Sequence, residues 1–198
     1  MNHQLILYGA EGSRSNRCKW TLEELELEFQ LIDDVKLIGS PELRKLNPAA
    51  KLPVLTIDKV PIFESVAICN FLCDRFNEKS LIANVGTIER GRHDQWCSFV
   101  LTELEAYLWS NAKHSKLYSK DKRCPNVIDP NNIEIQKALR ILDDFLKTNS
   151  FLIGSEFSVT DIIAGFTINW AAKSINMTKF INIQKYLDSL LSRKHCAL

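Results

Sequence analysis

Through the first third of the chain, apolar positions come in short runs separated by polar punctuation. Leu5–Tyr8 predicts a strand, and Ser15–Leu27 a helix with Cys18, Leu22 and Leu25 on one face and glutamates on another. Phe29–Val35 predicts the next strand and Pro41–Leu46 a short helix. Val54–Ile57 and Val60–Phe63 predict a hairpin around Asp58-Lys59, and Glu64–Phe76 a closing helix. The order is βαβ, then α, then ββα. Asp58-Lys59 lacks the glycine favoured in two-residue hairpins, so the flanking strands carry that assignment.

Beyond about residue 77 the strand-like alternation stops and longer periodicities take over. Residues 1–77 are expected to form one α/β domain, 78–87 a linker and 88–198 an all-helical domain. From Glu89 to Ala112, Trp96, Phe99, Val100, Leu104, Tyr107 and Leu108 recur at three- and four-residue steps, the pattern of a long amphipathic helix. Ile133–Leu146 repeats it. Between them, His114–Asn132 is polar, contains Pro125 and Pro130, and is expected to be a surface loop whose lysines are solvated. Ser158 and Asp161 are spaced as a capping box opening a further helix, with Phe157 and Ile162 placed as a hydrophobic staple. Losing such a cap costs about 0.5–2 kcal/mol.

Composition bounds the function classes. The 198 residues are 45% hydrophobic, enough for a substantial core and against disorder. Twenty-five Lys and Arg against 24 Asp and Glu leave a net charge of +1, which gives no global pull toward nucleic acid or anionic membrane. Six cysteines without a CxxC pair or a small-domain spacing fit a reducing cytoplasm. Met1–Gln4 shows no leader pattern, and no run approaches the roughly 18 apolar residues of a membrane span. No metal site is expected, because Cys69 and Cys73 are an isolated i, i+4 pair.

The candidate chemistry lies at residues 47–55 and 64–68. Pro53 opens an apolar run and cannot donate to a sheet ladder, so it belongs at a strand's first residue or edge, with a cis bond before it as one option. The backbone of Leu52 is then left free for a ligand. Glu64-Ser65 puts a hydroxyl and unpaired N–H groups at a helix N-terminus, a carboxylate site. One peptide-like ligand could satisfy both.

These stretches carry a family resemblance. Asn47-Pro-Ala-Ala-Lys51-Leu-Pro53-Val-Leu55, Glu64-Ser65-Val-Ala-Ile68 and Ser158-Val-Thr-Asp161, in that order, make the chain similar to cytosolic glutathione transferases of bacterial type along essentially its whole length. The resemblance implies a thioredoxin-like N-terminal domain and an all-helical C-terminal one, with glutathione as co-substrate and no metal. It implies that Leu52 pairs with the cysteinyl unit of glutathione, that Pro53 is cis, and that Glu64 and Ser65 hold the γ-glutamyl end. Lys51 would meet the glycyl carboxylate, or be a plain surface lysine. A homodimer in the cytoplasm is also implied, with no nucleic acid or membrane partner.

In serine-type relatives the hydroxyl that meets the glutathione sulfur falls four or five residues before the arginine matching Arg17. Four gives Ser13 and five gives Gly12, so Ser13 is the first choice. Ser15 is the second, with helix capping as its other role. A serine would suffice chemically. Free thiols titrate near ~8.5, and lowering that by about two units takes roughly 2.7 kcal/mol of preference for the anion. One hydroxyl donor and a helix N-terminus are of that size. Arg14 adds positive potential, or is simply exposed.

An electrophile pocket is expected from Tyr8, Trp96, Phe99, Glu103 and Tyr107, although such an aromatic stripe also suits a core or an interface. No helix is expected after Leu191 to lid it, which suggests a permissive pocket for small hydrophobic electrophiles, with peroxide reduction as the other use of the thiolate. Cys18 is expected to face the core. A different class stays open. Proteins of the stringent-starvation type keep this fold as a binding module, and loss of the glutathione residues would mark them.

Overall fold

The computed structural model describes residues 3–198, so Met1 and Asn2, where the leader reading begins, lie outside it. Two compact units emerge, residues up to Asn84 together with Arg193–Leu198, and Val85–Ser192.

The first unit is built on a four-stranded mixed sheet of order β2-β1-β3-β4. Strand β1 (Leu5–Gly9) runs parallel to β2 (Gln30–Asp33), and helix α1 (Ser15–Glu24) connects them. After α2 (Pro41–Leu46), strands β3 (Val54–Ile57) and β4 (Val60–Phe63) follow, with β3 antiparallel to both β1 and β4. Helix α3 (Ser65–Arg75) closes the unit. The expected βαβ-α-ββα order therefore holds. In β1 the alternation works as the sequence suggests, with Leu5 and Leu7 buried and Ile6 and Tyr8 half-buried. Leu7 pairs with Leu55, and Leu22, Ile68 and Leu72 from α1 and α3 complete an apolar core.

Two local differences have physical causes. The second strand is shorter than Phe29–Val35, because the Asp34 carboxylate accepts from the Lys36 N–H and turns the chain into a 3-10 turn at Val35–Leu37. The β3–β4 hairpin forms without glycine. Asp58 and Lys59 both take positive φ, 50° and 72°, and the Asp58 carboxylate bonds the Gln4 N–H at 3.0 Å and His3 Nδ1 at 2.6 Å. Aspartate tolerates the left-handed region because its short side chain finds local partners.

The second unit is helical: α4 (Ile88–Phe99), α5 (Ala106–Ala112), α6 (Ile128–Leu146), α7 (Val159–Ala172) and α8 (Ile181–Leu191). The long helix expected from Glu89 to Ala112 is continuous in path, but it widens to π-helical hydrogen bonding at Val100–Glu105, and again at Lys113–Leu117. Val100, Leu104 and Leu108 pack in one core with Ile135, Leu139 and Leu142 of α6, Ile162 and Ile163 of α7 and Ile183 and Leu190 of α8. Helix α6 begins five residues before Ile133, inside the expected loop. Pro130 lies in its first turn, where a missing N–H costs nothing, and so it does not break the helix.

At the start of α7, Asp161 is fully buried. One carboxylate oxygen accepts from the Ser158 N–H (2.9 Å) and hydroxyl (3.0 Å), closing the capping box. The other accepts from the Leu152 N–H (2.9 Å) and the Tyr186 hydroxyl (2.9 Å). The Phe157 ring stands edge-on to Phe151, with centroids 6.0 Å apart.

Candidate active site

The loop from β1 to α1 carries the two candidate serines. Gly12 takes φ +72°, which lets the chain turn so that the Ser13 N–H reaches the Ala10 carbonyl at 3.1 Å. The Ser13 hydroxyl is half-buried and lies 2.6 Å from Ala10 O and 2.8 Å from Ser15 Oγ. Ser13 Oγ also accepts from the Ser15 N–H at 3.2 Å, so Ser13 is the residue whose oxygen serves the start of α1. Ser15 does not cap the helix. It is buried, and its hydroxyl accepts from the Ala10 N–H at 3.2 Å, tying the helix start back to the strand end. Arg14 is half-buried at the N-cap position of α1.

Arg17 has no exposed surface, and its Nη1 donates to Ser65 Oγ at 3.2 Å. Sequence reasoning used Arg17 only to count back to the serine and missed this contact. An arginine on an otherwise apolar face of α1 was the available signal, since a buried guanidinium requires partners. Ser65 is the first residue of α3 and is itself buried. Glu64, at φ 72° and ψ 116°, holds a conformation rare for a side-chain-bearing residue, yet its carbonyl accepts the first helical bond from the Ile68 N–H at 2.9 Å. Its side chain is exposed.

The segment between α2 and β3 is organised by Asn47, a buried amide the sequence reading quoted but gave no role. Its Nδ2 donates to Lys51 O (2.8 Å), its Oδ1 accepts from the Ala49 N–H (3.0 Å), and its carbonyl accepts from the Ala50 N–H (2.7 Å). Lys51 is exposed, Leu52 half-buried and Pro53 buried, and the Leu52–Pro53 peptide is cis. Among the described residues, the Leu52 backbone has no hydrogen-bond partner.

The residues proposed for an electrophile are differently placed. Tyr8 is half-buried on β1, opposite Val54. Trp96 is buried in the second unit, its ring 4.8 Å from that of Phe145 and 5.6 Å from that of Phe99, both edge-on. Phe99 and Tyr107 are half-buried, and Glu103 is exposed and accepts from the Thr102 hydroxyl at 3.2 Å.

The C-terminal residues rejoin the first unit at α1. Arg193 makes a two-pronged ion pair with Glu24, Nε to Oε1 and Nη2 to Oε2 both at 2.9 Å, while Trp20 Nε1 donates to Glu24 Oε1 at 2.9 Å. Asn16 Nδ2 donates to Ala197 O at 2.8 Å. Burial works against the Glu24 charge, but the Arg193 and Trp20 donors outweigh it and hold the carboxyl below its ordinary value.

Residues 3–74 match the family model described as the glutathione S-transferase N-terminal domain. Along 98% of the chain, the sequence is 23% identical to glutathione S-transferase 3 of Schizosaccharomyces pombe, covering 86% of that protein. The first unit thus carries the sequence pattern of a glutathione S-transferase N-terminal domain. A crystal structure of the glutathione transferase URE2P6 from Phanerochaete chrysosporium, in complex with oxidised glutathione, superimposes with a TM-score of 0.87 at 26% identity, covering 98% of this chain and 93% of that one. The chain is also 26% identical, over 78% of its length, to a probable elongation factor 1-gamma 2 of Arabidopsis thaliana, but covers only 38% of that protein.

Proposed function

We propose that this protein is a glutathione transferase that binds glutathione in its first unit, ionises the thiol at Ser13 and conjugates it to small hydrophobic electrophiles or uses it to reduce peroxides. The observation that carries the reading is the pairing of an unpartnered Leu52 backbone with an α3 N-terminus whose Ser65 hydroxyl is held by buried Arg17. A tripeptide laid along Leu52 forms strand-like bonds with it. Its γ-glutamyl carboxylate then meets the N–H groups and the positive end of α3, with the Glu64 carboxylate available to the ammonium group. Lys51 serves the glycyl carboxylate as a point charge.

At the sulfur, Ser13 is the accessible hydroxyl and Ser15 the enclosed one. A thiolate arriving at Ser13 accepts the hydrogen bond that the hydroxyl now gives to Ala10 O or Ser15 Oγ. A hydrogen bond to a charged acceptor contributes about 1.5–3 kcal/mol, and the N-terminus of α1 roughly 0.3–1 kcal/mol. Their sum reaches the roughly 2.7 kcal/mol that a two-unit shift of the thiol demands. No general base is required, and the thiolate attacks the electrophile directly. In the same reading the protein works as a cytoplasmic homodimer, as the family resemblance implies.

The test is a glutathione titration followed through the ultraviolet thiolate band across pH. The band should appear well below the free-thiol value near ~8.5, and Ser13→Ala should move it back toward that value. Binding without ionisation would favour the second reading, a glutathione-transferase-fold binding or regulatory protein, which the elongation-factor relative keeps in view.

A further inference from the structure

The connection from α5 to α6 carries a charge that the proposed mechanism leaves unused. Residues 113–123 hold Lys113, Lys116, Lys120, Lys122 and Arg123 against Asp121, a net +4, whereas the whole chain carries +1, so the rest of it sums to −3. The near-neutral total conceals this segregation. Among the described residues, none of the five cations is ion-paired with a carboxylate.

The segment is closed on itself. Helix α5 runs on through the π-helical turn at Lys113–Leu117. Arg123 then reaches back, Nε donating to Tyr118 O and Nη2 to Lys116 O, both at 2.8 Å, and the Cys124 N–H donates to His114 Nδ1 at 3.1 Å. Lys116, Lys120 and Lys122 are exposed on the loop so formed. Leu117, an apolar side chain next to Lys116, is 58% exposed.

Two features select among anionic partners. The Arg123 guanidinium is spent on two carbonyls, which leaves no two-pronged face for a phosphate or a base edge. The Tyr118 ring has His114 edge-on, with centroids 5.2 Å apart, and Lys113 Nζ 6.0 Å from its centre, so it is no open platform for stacking a base. Lysines, which act as mobile point charges, remain beside an exposed aliphatic group. That combination suits a diffuse anionic surface with an apolar interior.

We infer that the α5–α6 loop docks the protein on bilayers rich in anionic lipid, with Lys116, Lys120 and Lys122 among the headgroups and Leu117 entering the acyl boundary. The contact is peripheral, since no helix of the described residues is long and apolar enough to cross a membrane. It requires neither Ser13 nor bound glutathione, and is therefore independent of the proposed transferase activity. Each lysine near such a surface strengthens partition about fivefold, less at high salt.

The experiment sediments the full chain with sucrose-loaded vesicles, of phosphatidylcholine alone or mixed with phosphatidylserine, at low and at physiological salt. The protein should pellet with the phosphatidylserine vesicles only, and less as salt rises. Lys116→Gln/Lys120→Gln should lower the partition coefficient about 25-fold, while Lys147→Gln/Lys185→Gln, an equal charge loss elsewhere on the second unit, should leave it unchanged. Leu117→Ser should weaken binding several-fold and keep the salt dependence. The substituted side chains are all exposed, so the variants keep the fold. Equal pelleting with both kinds of vesicle, or equal losses in the two double variants, would overturn the inference. So would binding to a labelled single-stranded oligonucleotide or to polyglutamate in place of the vesicles, which would assign the loop to a nucleic acid or an acidic protein. A Leu117→Ser variant that partitions like the parent would overturn the insertion of that side chain.

Discussion

Ser13 and Ser15 sit two residues apart and share hydrogen bonds, yet they occupy different environments, and their variants should behave differently. Ser13→Ala removes a half-exposed hydroxyl and should lower conjugation about 10- to 100-fold, the scale of one hydrogen bond to a charged atom, with a loss of stability no larger than that of a helix cap, about 0.5–2 kcal/mol. Ser15→Ala leaves the Ala10 N–H without its acceptor and should cost about 1–3 kcal/mol in denaturant unfolding. Equal activity of Ser13→Ala and the parent protein would move the assignment to Ser15 or Tyr8. At this scale the sequence showed which segments matter but not how they interlock. The spacing to Arg17 pointed at Ser13 through family resemblance, but nothing in one dimension says that the Arg17 guanidinium ends on the Ser65 hydroxyl, 48 residues away. Asn47 is a similar case. Its three local bonds shape the approach to Leu52, and Asn47→Ala should weaken glutathione binding, measured by calorimetry, together with a loss of stability of about 1–3 kcal/mol.

Elements were easier to read where period and punctuation agreed. Strand β1, the β3–β4 pair and helix α3 fall where alternation and caps put them, because local preference and tertiary packing there favour the same conformation. The start of α6 was hidden because proline signals a break in the interior of a helix and is harmless in its first turn, and the sequence alone does not say which turn Pro130 occupies. The π-helical stretch at Val100–Glu105 left no mark in the apolar spacing. The capping box was legible, but its extent was not. Asp161 accepts four hydrogen bonds, and only those from Ser158 belong to the cap. Asp161→Ala should therefore cost more than a simple cap, on the order of 3 kcal/mol, because it also orphans the Tyr186 hydroxyl and the Leu152 N–H in the core. Thermal unfolding of Asp161→Ala beside Ser158→Ala separates the two contributions, with the serine variant expected near the cap value of about 1 kcal/mol.

For the molecule as a whole, the pattern of residues revealed an α/β part followed by a helical part, but gave no sign that the last residues return to the first unit. Arg193, unlike Arg17 on its apolar helix face, looks like any other surface arginine in the sequence, and its partner Glu24 lies 169 positions away. The pairing carries a pH dependence. Because Glu24 is held below its ordinary 4.5, its contribution to stability is fully present above that value and is lost as pH falls through the lower value of the folded state. Amide exchange at residues 193–198 should accelerate in that acid window, and Glu24→Gln should show fast exchange at every pH, with the acid step gone.

The return of Arg193–Leu198 to α1 also bears on how the protein is made. Residues 193–198 fasten a helix translated well before them, with the whole helical unit synthesised in between. Until those residues have left the ribosome, α1 must pack on its sheet with Glu24 lacking its Arg193 partner, so the first unit reaches its final form only after the helical unit has been made. A label or fusion partner joined after Leu198 would thus act on the neighbourhood of Asn16, 182 positions back along the chain from where it was attached.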